Sequence, residues 1–173
     1  MTSEVSNDLK IEQLEINTLE PWEKNARTHS KKQIRQIAKS INTFGFNNPV
    51  LIDGDKGIIA GHGRVEAAKL LKLKSVPCVQ LQHMSDAQKR AYILADNKLA
   101  LNAGWDEELL GLELGELANL GDELNFDLDV TGFSLAEIDG LVESLSVEED
   151  GNPEEDHLPE DDVEPRCKKG DIW

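Results

Sequence analysis

The sequence predicts an α+β fold, a small mixed sheet with helices, followed by a small helical annex. Three observations carry this. Short β-branched runs alternate with stretches of helical spacing. A Gly-x-Gly turn joins one such run directly to a helix at 61–63. The charge balance also breaks after residue 103. Residues 1–103 hold 15 Lys and Arg against 11 Asp and Glu, a net of +4, and residues 104–173 hold 3 against 23, a net of −20. A length of 173 residues suits one domain with an appendage, or two small domains. No lysine or arginine stands between Lys98 and Arg166. The front is therefore a mildly basic module and the back an acidic one. Only the front suits a phosphate backbone, and the whole is expected to bind non-specific DNA poorly at physiological salt.

Residues 1–8 are polar and are expected to be disordered. Leu9 to Ile16 alternates as a strand does, with Ile11, Leu14 and Ile16 as apolar marks, and Pro21-Trp22 ends it. A polar loop, Glu23 to His29, follows. Ser30 caps a helix to about Phe44 whose buried stripe is Ile34, Ile37, Ala38 and Ile41, and Gly45 stops it. Pro49–Asp53 and Gly57–Ala60 are short strands joined by the turn Gly54-Asp55-Lys56. A helix from about Arg64 to near Leu73 comes next. Val76–Leu81 is a strand in which Pro77 marks a start or an edge. Ser85 caps a helix carrying Ala87, Ala91, Tyr92, Leu94 and Ala95 towards Leu101, with a polar patch at Asp96-Asn97-Lys98. The first domain thus covers 9–103.

Residues 104–145 form the annex. Asp106 to Leu120 is helical, although Gly111 and Gly115 each weaken it by up to about 1 kcal/mol relative to Ala. Phe126 to Val130 is extended or a loop. Ser134-Leu-Ala-Glu137 is a capping box opening a helix to about Leu145. Residues 146–165 are acidic and nearly free of apolar side chains, hence a linker. Residues 166–173 turn basic and then apolar, and are expected to begin a further domain.

The stretch Gly57 to Leu71 organises the chain. Ile58–Ala60 is strand-like, and Val65, Ala67, Ala68, Leu70 and Leu71 have helical spacing. Between them, Gly61-His62-Gly63-Arg64 leaves first-turn amides unpaired beside a fixed cation, which makes an anion cradle. The same pattern also serves as a plain sharp turn.

The segment Ile16 to Asn97 resembles the ParB/sulfiredoxin-like domain family through Asn25 and Arg27, the 30–44 helix with Ser40-Ile41 and Phe44-Gly45, Pro49-Val50, Gly61-His62-Gly63-Arg64 with Ala67-Ala68, and Asp96-Asn97. The resemblance implies nucleotide phosphate binding by Gly61, His62, Gly63, Arg64 and Asn97, and DNA or phosphate contact by Asn25 and Arg27. Chromosome-partitioning members usually carry Glu and Arg where this chain has His62 and Gly63, and an Arg where it continues Lys98-Leu99-Ala100. CTP specificity and a clamp-type partition role are therefore not implied. Sulfiredoxin needs a cysteine in its arginine box, and the nearest here, Cys78, lies beyond the next helix, which excludes sulfinic-acid reduction.

Nearly the whole chain is similar to ParB-like domains preceding bacterial and phage DNA modification methylases. The shared segments are the Gly-His-Gly-Arg box, Ala95-Asp96-Asn97-Lys98, Asn102 to Asp106, Thr131 to Ser134 and the final Gly170-Asp171-Ile172-Trp173. This implies an accessory domain that binds nucleotide (a nucleoside triphosphate with Mg²⁺) or DNA phosphate. Its role is to regulate or target an adenine-N6 or cytosine-N4 methyltransferase following in the same chain. No methyltransferase motif occurs here, so S-adenosylmethionine belongs to that downstream domain. The alternative is a ParB-like ATPase or DNase, with His62, Asp96 and Glu66 as candidates for base or metal-held water. Glu66 is expected to face solvent or pair with a lysine.

A third reading, an acidic annex that mimics nucleic acid, gives way to linker and solubilised helices. Cys78 and Cys167 match no metal spacing and read as reduced thiols of a cytoplasmic protein. No apolar run approaches a membrane span. Residues 106–145 serve either as a homodimer interface or as packing on the core.

Overall fold

The computed structural model describes residues 9–149. The expected disordered N-terminus, most of the linker expected over 146–165 and the expected start of a further domain lie outside them.

The sheet comprises β1 (Ile11–Glu15), β2 (Val50–Ile52), β3 (Ile58–Ala60) and β4 (Ser75–Gln80), in the order β1-β4-β2-β3. β4 runs antiparallel to β1 and parallel to β2, and β2 runs antiparallel to β3, so the sheet is mixed as expected. Pro77 departs from expectation, because β4 is an interior strand. The proline is accommodated because β2 pairs only from Cys78 onward, so that Pro77 has a ladder partner, Gln13, on one side alone.

The sheet is covered on both faces. Alternation along the strands sends Ile58, Val76 and Cys78 into one cluster with Val50, Ile52, Val65 and Ala68, and Ile59 and Val79 into another with Leu81 and Ile93. The first cluster takes in helix α2 (His62–Leu70) and the second helix α3 (Asp86–Asn102). Ile93 is the buried residue of α3, whereas Ala87, Ala91, Leu94 and Ala95, expected to anchor it, are exposed. Cys78 is fully buried, and burial raises its thiol pKa. Helix α1 (Lys31–Phe44) begins at the predicted Ser30 cap, whose side chain accepts from the Gln33 amide, and ends at Gly45 with φ +87°. It packs against α2.

The β2–β3 turn is fixed by a buried carboxylate. Asp53 Oδ1 accepts from the amides of Asp55 (3.0 Å) and Gly57 (2.8 Å), and Oδ2 accepts from Lys89 Nζ of α3 (3.3 Å). Burial alone would raise the Asp53 pKa, but the two amides and the ammonium together hold it below the usual carboxylate range.

The annex consists of α4 (Glu107–Asn119) and α5 (Leu135–Glu149) packed together. The predicted Ser134–Glu137 capping box forms, with the Ser134 amide and hydroxyl donating to Glu137 Oε2 at 2.7 and 2.6 Å. α5 continues past the expected end near Leu145, into the first residues of the stretch expected to be linker. Leu128–Thr131 is a short 3-10 turn where an extended or loop segment was expected. Gly111 is buried between the helices: a Cβ there would lie 2.9 Å from Leu145 Cδ1 and 3.1 Å from the Leu141 carbonyl. The glycine that weakens α4 thus permits its contact with α5. The annex also packs on α1, one of the two arrangements the sequence left open. Phe44 and Phe126 meet edge to face at 5.3 Å, Lys39 pairs with Asp127 (3.1 Å) and Asp129, and Gln36 Nε2 donates to the Gly132 carbonyl (3.3 Å). Among the described residues no helix is long and apolar enough to cross a membrane.

Candidate phosphate-binding site

α2 begins at His62, two residues earlier than the sequence suggested, because Gly61 itself is the cap. Its φ of +102° turns the chain from β3 into the helix, and a Cβ there would stand 2.9 Å from Arg64 Nη2. Glycine is required twice over, for backbone freedom and for the guanidinium lying against it. The first helical bond runs from the Val65 amide to the Gly61 carbonyl at 3.0 Å. The amides of His62, Gly63 and Arg64 have no partner among the described residues, and no side chain caps them. Gly63 is buried, and a Cβ would meet His29 Cε1 and Ile37 Cδ1, both at 3.1 Å. Its bareness lets the 25–30 loop and α1 close over the start of α2.

Arg64 Nη2 donates to the Pro49 carbonyl at 3.1 Å, while Nε is buried without a hydrogen-bond partner. Burial lowers the Arg64 pKa and the nearby Asp96 opposes that shift. The guanidinium stays charged in either case. A buried, unmated N–H costs roughly 1–3 kcal/mol unless something accepts from it.

His62 Nε2 accepts from the Trp22 amide at 3.2 Å, which assigns the ring proton of the neutral form to Nδ1. Burial, and then proximity to His29, lower its pKa, while Glu66 raises it. The lone pair that a general base would use is thus engaged in holding the loop after Pro21. Asn25 and Arg27 form an Asx-type turn, Asn25 Oδ1 accepting from the Arg27 amide and Nδ2 donating to the Arg27 carbonyl, each at 3.2 Å. Arg27 Nη1 reaches across to the Asn97 carbonyl (3.2 Å). The Asn97 side-chain amide donates back to the Ile93 carbonyl at 2.8 Å, so it is the backbone of Asn97 that fixes Arg27.

These groups surround one cavity of about 210 Å³. Asn25, Arg27, Gly61, His62, Gly63, Arg64, Asp96 and Asn97, all singled out from the sequence, line it. Glu66 does not; it pairs on the surface with Lys69 at 2.7 Å. The sequence reading missed His29, which lines the cavity with Nδ1 against Gln33 Oε1 at 3.0 Å. Its place just before the Ser30 cap fixes its direction, but its approach to Gly63 is a tertiary fact. Two arginines, unpaired helix-start amides and one carboxylate thus line the same cavity. A second, larger cavity of about 550 Å³ shares Ile37 and Arg64 with it and is lined by Ile41, Phe44 and Phe46.

Residues 2–98, more than half of the chain, match the family described as the ParB N-terminal domain. The chain belongs to that family. Residues 108–169 match the ParB-methyltransferase HTH domain, a stretch that runs through the expected annex, linker and final segment without regard to their boundaries. The resemblance to ParB-like domains that precede methylases anticipates this match, although not its helix-turn-helix character. The chain is 50% identical over 86 residues to the ParB-like nuclease domain-containing protein YnaK of Escherichia coli (strain K12), covering 50% of this chain and 99% of YnaK. It is 31% identical over 116 residues to the probable chromosome 2-partitioning protein ParB of Deinococcus radiodurans, covering 63% of this chain and 38% of that protein. A solved structure of the same fold is C-terminally truncated ParB from Caulobacter crescentus complexed with CTP-γ-S. Its TM-score is 0.64, at 19% identity and 79% coverage of both chains.

Proposed function

We propose that this ParB-type chain is an accessory module that takes the phosphates of a nucleoside triphosphate at the start of α2. In this reading it regulates or targets a DNA methyltransferase, adenine-N6 or cytosine-N4, in the same cytoplasmic polypeptide. The observation that carries the reading is the buried, unpartnered Nε of Arg64 beside three free helix-start amides. The fit is chemical and spatial. The smaller cavity suits phosphate oxygens, and the larger one across Arg64 offers an apolar bed for a nucleoside. The CTP-γ-S complex of the Caulobacter relative supports the same class of ligand. Mg²⁺ would enter on the phosphates, with Asp96 the carboxylate at hand. S-adenosylmethionine would belong to the methyltransferase.

DNA is the second expected partner. Residues 99–149 contain no lysine or arginine, so contact with its backbone falls to the cations of the first domain. Homodimerisation remains part of the reading, as the arrangement in which such a module would engage a two-fold site.

Titration calorimetry with ATP, CTP and GTP plus Mg²⁺ tests this. At least one nucleotide should bind saturably. Arg64→Lys, which keeps a charge but loses the planar donors, should weaken it at least about tenfold, because a hydrogen bond to a charged group contributes about 1.5–3 kcal/mol. Wild-type protein that binds none of the three would refute the reading. Phosphate release in the same samples would instead favour the hydrolytic alternative through Asp96 and His62.

A further inference from the structure

A groove of about 660 Å³ opens between the first turns of α1 and the end of α2, and His29 lines both it and the phosphate cavity. Ile34 and Leu70 give it apolar surface, Leu70 being 54% exposed. Lys31, Arg35 and Lys69 surround that surface, and its one anion, Glu66, is engaged with Lys69. Among the described residues the side chains of Lys31 and Arg35 make no hydrogen bond or ion pair. The groove is thus an apolar patch ringed by cations, of which Lys31 and Arg35 have free capacity.

The chain carries the complement of this pattern. Glu154-Glu155-Asp156-His157-Leu158-Pro159-Glu160-Asp161-Asp162 places one apolar pair between two acidic triplets. We propose that residues 154–162 dock in the α1–α2 groove, with Leu158 against Ile34 and Leu70 and the flanking carboxylates against Lys31, Arg35 and Lys69. A DNA backbone would match the cations but has no use for the apolar surface.

The connection is long enough. Gln36 of α1 donates to the Gly132 carbonyl (3.3 Å) just before α5, so α5 starts beside α1. From Glu137 to Glu149 the helix rises about 18 Å at 1.5 Å per residue. Residues 150–158 span up to about 30 Å when extended, so Leu158 can return past the start of α5. Tethering sets an effective concentration in the millimolar range, at which individually weak charge pairs suffice. The docked segment would be a polyanion held in cis over cations that DNA phosphates would otherwise meet.

The test uses the full chain with Cys167→Ser and His157→Cys, carrying a nitroxide at position 157; Cys78, 1% exposed, stays unlabelled. At low salt the amide signals of Arg35, Lys69 and Leu70 should lose intensity. They should recover in 1 M salt, where the Debye length is about 3 Å, and in a Lys31→Glu/Arg35→Glu variant. Intact signals at low salt, or losses confined to another face, would overturn the proposal. So would an unlabelled groove whose Lys31→Glu/Arg35→Glu variant binds duplex DNA more weakly, since DNA would then be the occupant.

Discussion

Gly61→Ala tests the geometry on which the phosphate site depends. At φ +102° the backbone lies outside the region an L side chain accepts easily, a strain of roughly 1–3 kcal/mol. The new methyl would also lie 2.9 Å from Arg64 Nη2 and 3.2 Å from Nε. The guanidinium must move, giving up part of its bond to the Pro49 carbonyl, and contacts of this kind contribute about 1.5–3 kcal/mol when whole. A combined loss of about 2–4 kcal/mol follows. With a urea slope of about 2 kcal/mol/M, the middle of the range for small proteins, that shifts the unfolding midpoint by about 1–2 M. Nucleotide binding should disappear at temperatures where the variant remains folded by circular dichroism. Gly54→Ala is the control, because a Cβ there meets nothing within 4 Å and φ is not positive. Its effect should stay within about 0.5 kcal/mol. A Gly61→Ala protein as stable as Gly54→Ala, and still able to bind nucleotide, would refute the reasoning.

Asp53→Asn should destabilise the fold by about 2–4 kcal/mol at pH 7, since a buried carboxylate loses its charge towards two amides and Lys89. The Asp53 pKa is held below its ordinary 3.8, so the wild-type advantage is fully present above about that pH and is lost as pH falls through the folded-state value. Urea unfolding at a series of pH values checks this, and a gap that does not close in acid would sink it. In the annex, Gly111→Ala and Gly115→Ala should act in opposite directions. At 111 the methyl meets the Leu141 backbone and Leu145, and the overpacking costs about 1–3 kcal/mol. At 115 it meets only Val142 at an ordinary 3.6 Å, so the helix gains up to about 1 kcal/mol. Amide hydrogen exchange along α5 reads both, and equal effects would show that the α4–α5 contact does not depend on Gly111.

Much of this architecture was legible because local chemistry fixed it. Ser30, Ser85, Asp106 and Ser134 all begin helices, since a side-chain oxygen placed before an apolar period has little else to satisfy. The Gly61–Arg64 turn was legible as a group for a related reason: a Gly-x-Gly turn from a strand into a helix brings its residues together, and all four line one cavity. What failed depended on distant partners. Pro77 was misplaced because the shortness of β2, not anything in β4, decides where the ladder ends. The buried side of α3 was misassigned because its period includes many alanines and leucines, and only the sheet selects Ile93. Gly111 read as a weakness because Leu141 and Leu145 stand on another helix. The part Asn97 plays in holding Arg27 was also out of reach, because its side chain turns back onto Ile93 and its carbonyl meets a residue 70 positions away.

The charge partition links the two matched regions. A helix-turn-helix that grips DNA needs cations to replace the counterions of the phosphate backbone. The described part of the annex has none, and its helices are joined by a connection far longer than the three or four residues of a DNA-reading turn. Its carboxylates instead take cations from the first domain. Asp127 and Asp129 share Lys39, and Glu137 lies within the field of Lys32. The annex therefore lowers the positive charge that the first domain can offer to DNA, along the face of α1 that it covers. The cations left without partners on α1, Lys31 and Arg35, stand on its α2 side, beside the phosphate cavity that His29 shares. Among the described residues no lysine or arginine lies beyond residue 98, so a polyanion meeting this part of the chain would find its cations in the first domain, Lys31 and Arg35 among them.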